Sequence, residues 1–218
     1  MKMKSLFKRR ISGFTMVELI ISISIMMTMT VLLLSKYPES AIKMNLINSA
    51  QVISLLIREA QIRGSAVDSI NSTLGGYGVY VKIADDNSLS TIKLFGDTVD
   101  GSFNTTGLPI GNGIFELSPT DETESVTSLP FGYRITKVCG GEKPATCYSD
   151  VDKTLTISFT RPSPNPDIYL NATKDSKGVN YSRACIEIQA PDPLLFNHIR
   201  SVNIFNSGMI NTSTSTCS

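Results

Sequence analysis

Residues 13–35 read GFTMVELIISISIMMTMTVLLLS, and this stretch decides the fold of the chain. From Phe14 to Ser35 there are 22 residues with one charge, that of Glu18. A helix of that length is about 33 Å long at 1.5 Å per residue, which is enough to cross the hydrocarbon core of a bilayer. The stretch therefore predicts a single membrane-spanning helix near the N-terminus.

The segment before this helix is basic. Residues 1–13, MKMKSLFKRRISG, contain five Lys or Arg residues and no acidic residue. A basic segment beside an apolar helix stays on the cytoplasmic side of the membrane. The apolar run is also longer than the core of a secretory signal and continues to Lys36, so we expect the membrane helix to be retained.

The sequence GFTMVELI, residues 13–20, resembles the processing motif of the type IV prepilin-like superfamily. In that superfamily a membrane-embedded prepilin peptidase cuts after the glycine and methylates the new N-terminal amine. The resemblance implies cleavage between Gly13 and Phe14 and N-methylation of Phe14. Glycine suits the position because it has no side chain to hinder access to the backbone.

Glu18 is the second residue on which the resemblance depends. An ionised carboxylate near the bilayer is costly unless it is paired, and no Lys or Arg follows before Lys36. The resemblance implies that Glu18 pairs with the Phe14 amine of a neighbouring subunit during assembly. The alternative is that Glu18 extends to the cytoplasmic interface. Four hydroxyl residues further along suit either packed helices or a lone lipid-facing anchor: Ser22, Ser24, Thr28 and Thr30.

The chain after the membrane segment continues as an amphipathic helix. Apolar residues recur at three- and four-residue spacing, at Ile42, Leu46, Ala50, Ile53, Ile57 and Ala60. We expect Pro38 to kink or break the helix and Gly64 to end it. The predicted organisation is a cleaved leader at 1–13, a transmembrane and assembly helix at 14–35, its amphipathic second half at 36–64, and an exported head at 65–218.

The head reads as β-rich. Seven segments alternate or cluster β-branched and aromatic residues between turn residues: 76–84, 90–96, 113–118, 131–139, 154–161, 184–190 and 200–208. The ranges 102–113 and 162–178 and the Ser/Thr-rich tail are expected to be loops. The predicted fold class is α+β, with a long N-terminal helix packed on one or two antiparallel sheets, as in type IV pilins.

The four cysteines, Cys139, Cys147, Cys185 and Cys217, show no CxxC spacing, and the chain has one histidine. A disulfide-bonded exported domain is therefore favoured over a zinc module. Three pairings are possible, and we prefer Cys139 with Cys147 and Cys185 with Cys217, because each pair closes around turn-rich sequence. Four free thiols are the alternative.

The sequence gives little basis for catalysis or a bound cofactor. His198 has no second histidine to complete a nucleophilic arrangement, so we expect no enzymatic activity, no cofactor and no metal. Asp85, Asp86 and Asn87 lack the spaced ligands of a calcium loop and favour a hairpin turn instead.

Nucleic-acid binding is not expected, because removal of the five basic leader residues changes the formal charge from +1 to −4. A local patch of Arg134, Lys137 and Lys143 is the feature that would support it.

Beyond the motif, the chain has a helix ending in REAQIRGSA (58–66), then GYGVYV (76–81), a PxPxP-containing connection (162–166) and a terminal pair of segments, IEI (186–188) and VNIFNSG (202–208). This order looks most like that of H-type minor pseudopilins and related minor pilins. The resemblance as a whole implies a minor pilin or pseudopilin. The implied partners are other pilin subunits, the prepilin peptidase and an inner-membrane assembly platform. The implied location is the bacterial inner membrane, with the head exported, and then a filament. An adhesive or DNA-binding tip subunit is the second hypothesis, and a single-pass anchored domain that never polymerises is the third.

Overall fold

The structure is a computed structural model that describes residues 13–65, 74–83, 90–103, 109–116, 122–130, 132–142, 145–160, 163–172, 178–191 and 198–217. Its contacts divide the chain into two units, Met1–Ala41 and Ile42–Ser218. The described residues form a long N-terminal helix followed by antiparallel β-sheets. The coarse α+β prediction is therefore confirmed.

Helix α1 spans Met16–Ser65 and includes Pro38. Of the predicted kink or break at Pro38, the break is wrong, because the helix continues through this residue. A proline removes only one helical N–H donor, and the turns on either side keep their own hydrogen bonds. Gly64 is also inside the helix. A Cβ at this position would lie 2.5 Å from the carbonyl oxygen of Phe159, so the glycine lets the end of α1 approach a strand closely.

The described residues of the second unit form eleven strands in two antiparallel sheets. The strands are β1 Leu74–Lys82, β2 Thr91–Phe103, β3 Pro109–Gly111, β4 Thr123–Ser128, β5 Arg134–Gly140, β6 Thr146–Tyr148, β7 Thr154–Thr160, β8 Pro166–Leu170, β9 Arg183–Gln189, β10 Ile199–Phe205 and β11 Ile210–Ser213. The first sheet has the order β3-β2-β1-β7-β8, with β4 also paired to β2, and the second has the order β11-β10-β9-β5-β6.

Six of the seven predicted strand segments contain a strand, and the segment at 113–118 is the exception. Its described part, from Gly113 to Glu116, is not a strand. Here the backbone N–H groups bond to side chains and not to a neighbouring strand. The Gly113 N–H donates to Asp97 Oδ2 at 2.7 Å, and the Ile114 N–H donates to Asn112 Oδ1 at 2.8 Å. Local side-chain hydrogen bonds of this kind compete with sheet formation.

The ranges predicted as loops contain strands that the sequence pattern did not indicate. They are the end of β2 with β3 within 102–113, β8 within 162–178, and β11 in the tail. Each of β3, β8 and β11 is the outermost strand at one end of its sheet's order. β8 begins at Pro166, and proline is tolerated at the first residue of an edge strand because no ladder donor is needed there.

The core of the second unit forms around one ridge of α1. Leu46, Ala50, Ile53, Ile57 and Ala60 are at most 2% exposed and belong to one cluster with buried residues of both sheets. This is the apolar stripe that the helical spacing predicted. Such a ridge is the usual way in which a surface helix covers a sheet.

Polar contacts fix both ends of this packed half of α1. Near its start, the Tyr133 hydroxyl donates to the Ile42 carbonyl at 2.9 Å. At its end, Arg63 contacts Glu59 at 2.6 Å and Glu124 at 2.7 Å. Burial would lower the pKa of Arg63, but the two carboxylates outweigh it and raise that pKa. The packing register of the helix is thus set by specific bonds as well as by apolar contact.

We expect Tyr133→Phe to lower the free energy of unfolding by about 1 kcal/mol, because the Ile42 carbonyl loses its donor while the ring packing is kept. Urea denaturation of the detergent-solubilised full chain, followed by circular dichroism, measures this. Tyr37→Phe is the matched control, because Tyr37 is 72% exposed and should leave the midpoint unchanged. Equal midpoints for all three proteins would contradict the proposed bond.

Candidate functional site

The N-terminal end of α1 is held by a capping arrangement. Thr15 immediately precedes the helix, and its Oγ1 accepts a hydrogen bond from the Glu18 N–H at 3.3 Å. The Thr15 hydroxyl in turn lies 3.5 Å from Glu18 Oε2. An N-cap threonine with a glutamate three residues later is the sequence pattern of a capping box. The Thr-x-x-Glu spacing at 15–18 could therefore have indicated this role, which was not among the predictions from the sequence.

The Glu18 carboxylate is exposed at the first turn of the helix. No Lys or Arg among the described residues forms an ion pair with it. The helix N-terminus supplies a favourable local field for a negative charge, so the position is electrostatically suitable for a carboxylate even without a cation. The remaining acceptor positions of this carboxylate face outward and can receive a charged donor from elsewhere.

Residues 14–34 place every side chain on the surface of the first unit. Phe14, for example, is 78% exposed, and Leu33 is 76% exposed. Among the described residues, α1 is the one helix long and apolar enough to cross a membrane, judged by length and composition. An apolar surface of this extent requires lipid or other helices around it.

The hydroxyl residues in this segment bond back to their own helix. Ser22 donates to the Glu18 carbonyl, Ser24 to Ile20, and Thr30 to Met26, at 2.8 to 2.9 Å. Thr28 donates to the Ile25 carbonyl at 2.9 Å. Because these donors are satisfied internally, the small side chains add little polarity to the helix surface and leave room for close approach of another helix.

The four cysteines form two disulfides, Cys139 with Cys147 and Cys185 with Cys217. This is the pairing preferred from the sequence. Cys139 faces Cys147 on β6 and Cys185 on β9 in the strand register, so three half-cystines lie side by side across the second sheet. The first bridge joins neighbouring strands, while the second attaches the C-terminal tail to β9.

The tail is also held by a buried carboxylate. Glu187 is 6% exposed; it accepts the Cys217 N–H at 3.0 Å through Oε2 and the Thr136 hydroxyl at 3.1 Å through Oε1. Lys137 Nζ donates to the Cys217 carbonyl at 3.4 Å. These contacts show that the tail is an integral part of the sheet surface, which the Ser/Thr-rich composition did not predict.

The other candidates from the sequence are not brought into a chemical site by the described residues. No three His, Cys, Asp or Glu side chains in this part of the chain are grouped so that they could hold a metal ion. Asp85, Asp86, Asn87 and Lys143 lie outside the described residues. His198 contributes its carbonyl to the Ala190 N–H.

The hypothetical DNA-binding patch is only partly described. Lys137 directs its ammonium group to the tail carbonyl, and Arg134 lies opposite Gln189 in the backbone register of β5 and β9.

In comparisons with known proteins, no family model, curated sequence or solved structure matched the chain.

We expect Thr15→Ala to weaken the first turn of α1 by about 1 kcal/mol, because the Glu18 N–H loses its capping acceptor. Thr15→Ser keeps the hydroxyl and should behave like the unmodified chain. Hydrogen exchange of the Met16–Leu19 amides in detergent micelles measures the effect, and faster exchange in the alanine variant alone is the expected result. Unchanged exchange in Thr15→Ala would mean that the cap contributes nothing.

We also expect the two disulfides to differ in their contribution to stability. Replacing Cys185 and Cys217 by serine should cost about 4 kcal/mol and replacing Cys139 and Cys147 about 2.5 kcal/mol, because the entropy of a closed loop grows with its length. The sequence separations are 32 and 8 residues. Denaturation midpoints of the two double variants compare them directly. A larger loss of stability for the Cys139 and Cys147 variant would show that cross-linking neighbouring strands matters more than the length of the closed loop.

Proposed function

We propose that the chain is a structural subunit of a type IV pilus-like or type II secretion filament, in the manner of a minor pilin or pseudopilin. The observation that carries this proposal is the exposed Glu18 carboxylate, five residues after Gly13, on an apolar part of α1 in which the side chains of residues 14–34 are all exposed. The apolar surface calls for lipid before assembly and for other helices after it. The carboxylate calls for a cation that the described residues do not supply.

Processing at the Gly13–Phe14 bond would create that cation. Cleavage gives Phe14 a free amine, which is protonated near neutral pH. In the proposed assembly this amine belongs to a neighbouring subunit. Its pairing with Glu18 lets the two opposite charges neutralise each other in an apolar environment. Out of water, an ion pair that loses one partner leaves an unpaired charge, which is strongly unfavourable. Axial positions that separate Glu18 from the amine are therefore disfavoured, and the pair would set the axial register between subunits.

The capping interaction assists this role. Thr15 fixes the first turn of α1 and lies within reach of Glu18 Oε2. It therefore limits the directions in which the carboxylate can extend. A carboxylate held at the first turn by Thr15 is better placed to meet the end of another helix than one on a freely moving side chain.

The proposed location follows from the same segment. The basic residues 1–13 keep the leader in the cytoplasm, the helix crosses the bacterial inner membrane once, and the disulfide-bonded second unit is exported. The proposed partners are other pilin-like subunits, the prepilin peptidase and an inner-membrane assembly platform. The proposed role is structural and requires neither an enzymatic activity nor a cofactor.

The processing step is tested by intact-mass and N-terminal peptide mass spectrometry on the protein from its native host. The expected result is an N-methylated Phe14 as the first residue. An intact leader, or cleavage after Ser35, would contradict the proposal.

The assembly step is tested by Glu18→Ala. This variant should still be cleaved and should remain in the membrane, but it should be absent from the sheared or detergent-resistant filament fraction because the Phe14 amine has lost its partner. Glu142→Ala, which removes an exposed carboxylate from a turn of the second unit, is the matched control. Normal incorporation of Glu18→Ala would exclude the proposed pairing and favour a lone membrane anchor.

A further inference from the structure

A groove lies in the second unit between α1 and strand β11. It consists of two adjoining cavities of about 340 Å³ and 220 Å³ that share Gln51 and Thr212. We call it the basic groove. Its lining residues are Ile47, Ala50, Gln51, Ser54, Leu55, Arg58, Arg200, Ile210, Asn211 and Thr212.

The helix wall of the basic groove is a continuous stripe. Ile47, Gln51, Ser54 and Arg58 follow one another at spacings of four, three and four residues, which places them along one side of α1. Leu55, 64% exposed, lies at the rim. This stripe is beside the buried ridge of the helix and not part of it, so it remains available to a ligand.

The strand wall is an open sheet edge. β11 is the outermost strand of the second sheet and pairs only with β10 among the described strands. Ile210, Asn211 and Thr212 of this strand line the groove. The outer side of an edge strand presents backbone N–H and C=O groups that can pair with another extended chain.

The charge of the groove is positive. Arg58 and Arg200 line it, and no Asp or Glu does. Neither arginine forms an ion pair with a carboxylate of the described residues. Guanidinium groups bind carboxylates through two parallel hydrogen bonds, so the lining favours an acidic ligand.

Arg200 indicates where in the basic groove an acidic ligand would bind. Its neighbours two and four residues along β10, Val202 and Ile204, are completely buried, and alternate residues of a strand share a face. Arg200 therefore lies on the core side of β10, where its Nε is shielded from solvent and has no hydrogen-bond partner among the described residues. A buried donor left unpaired is costly. Arg200 also lines the groove, where the rest of its guanidinium can contact a ligand carboxylate.

We propose that the basic groove binds an extended acidic peptide segment of a partner protein. The peptide backbone pairs with the outer edge of β11, and its carboxylates contact Arg58 and Arg200. A peptide is the occupant favoured here because the groove offers a sheet edge as well as cations. The inference does not depend on the proposed filament function.

The test uses the full-length chain in detergent micelles and a fluorescein-labelled peptide of alternating Thr and Glu residues. The matched probe has Gln in place of every Glu. Fluorescence anisotropy should show binding of the Glu peptide and at least about tenfold weaker binding of the Gln peptide, because the charge-assisted hydrogen bonds are lost.

Variants assign the binding to this groove. Arg58→Gln and Arg200→Gln should each weaken binding of the Glu peptide by about tenfold. Arg200→Lys keeps the charge without the two-pronged geometry and should lie between the Gln variant and the unmodified chain. Lys82→Gln, which removes a cation from β1 outside the groove, should bind normally. Circular dichroism and thermal melting verify that each variant is folded.

Three results would overturn the proposal. They are equal binding of the Glu and Gln peptides, full binding by the folded Arg58→Gln and Arg200→Gln variants, and capture of phosphatidylserine vesicles that depends on Arg58 and Arg200 while the Glu peptide does not compete. The last result would identify the groove as a site for anionic lipid headgroups.

Discussion

The buried ridge of α1, from Leu46 to Ala60, is the packing constraint around which the second unit is built. Both sheets contribute side chains to the cluster that encloses it, so neither sheet has a complete core without the helix. This explains why close approach is needed at Gly64, where a side chain would meet the Phe159 backbone. It also explains why polar contacts at Tyr133 and Arg63 are placed at the two ends of the ridge, where they fix its register without interrupting apolar packing.

The same helix has opposite requirements in its first half. Between residues 14 and 34 no side chain is buried, and the internal hydroxyl bonds satisfy the polar groups that would otherwise need water. Glu18 is the one charge in this stretch. Its capping interaction with Thr15 meets a local need of the helix end, but it does not neutralise the carboxylate. The remaining negative charge is what calls for a partner. The local cap and the external ion pair are compatible because the cap engages the Glu18 N–H and one carboxylate oxygen, Oε2, and the carboxylate has a second oxygen.

The C-terminal half shows how a polar tail becomes structural. A disulfide to Cys185 and hydrogen bonds to Glu187 attach Cys217 to the sheet, and β11 adds a strand to the sheet's edge just before it. Because β11 lies at this edge, the tail also forms one wall of the basic groove. One wall of the basic groove is thus a segment whose composition is typical of a loop, and the cost of attaching it is offset by the cross-link and the buried hydrogen bonds.

The sequence by itself determined the membrane-length helix, the apolar ridge and six of the strand segments, because each depends on local periodicity or length. For the cysteines it indicated a preference among three possible pairings, and the tertiary structure decided between them. The Thr15 cap was also readable from the Thr-x-x-Glu spacing. Only the tertiary structure decided the edge strands β3, β8 and β11, whose residues pair because a neighbouring strand is already in place and not because of their own pattern. It alone placed Arg58 and Arg200 in the lining of one groove and the Glu187 carboxylate beside the Cys217 N–H. Residues distant in the chain come together only when the sheets and the helix have packed.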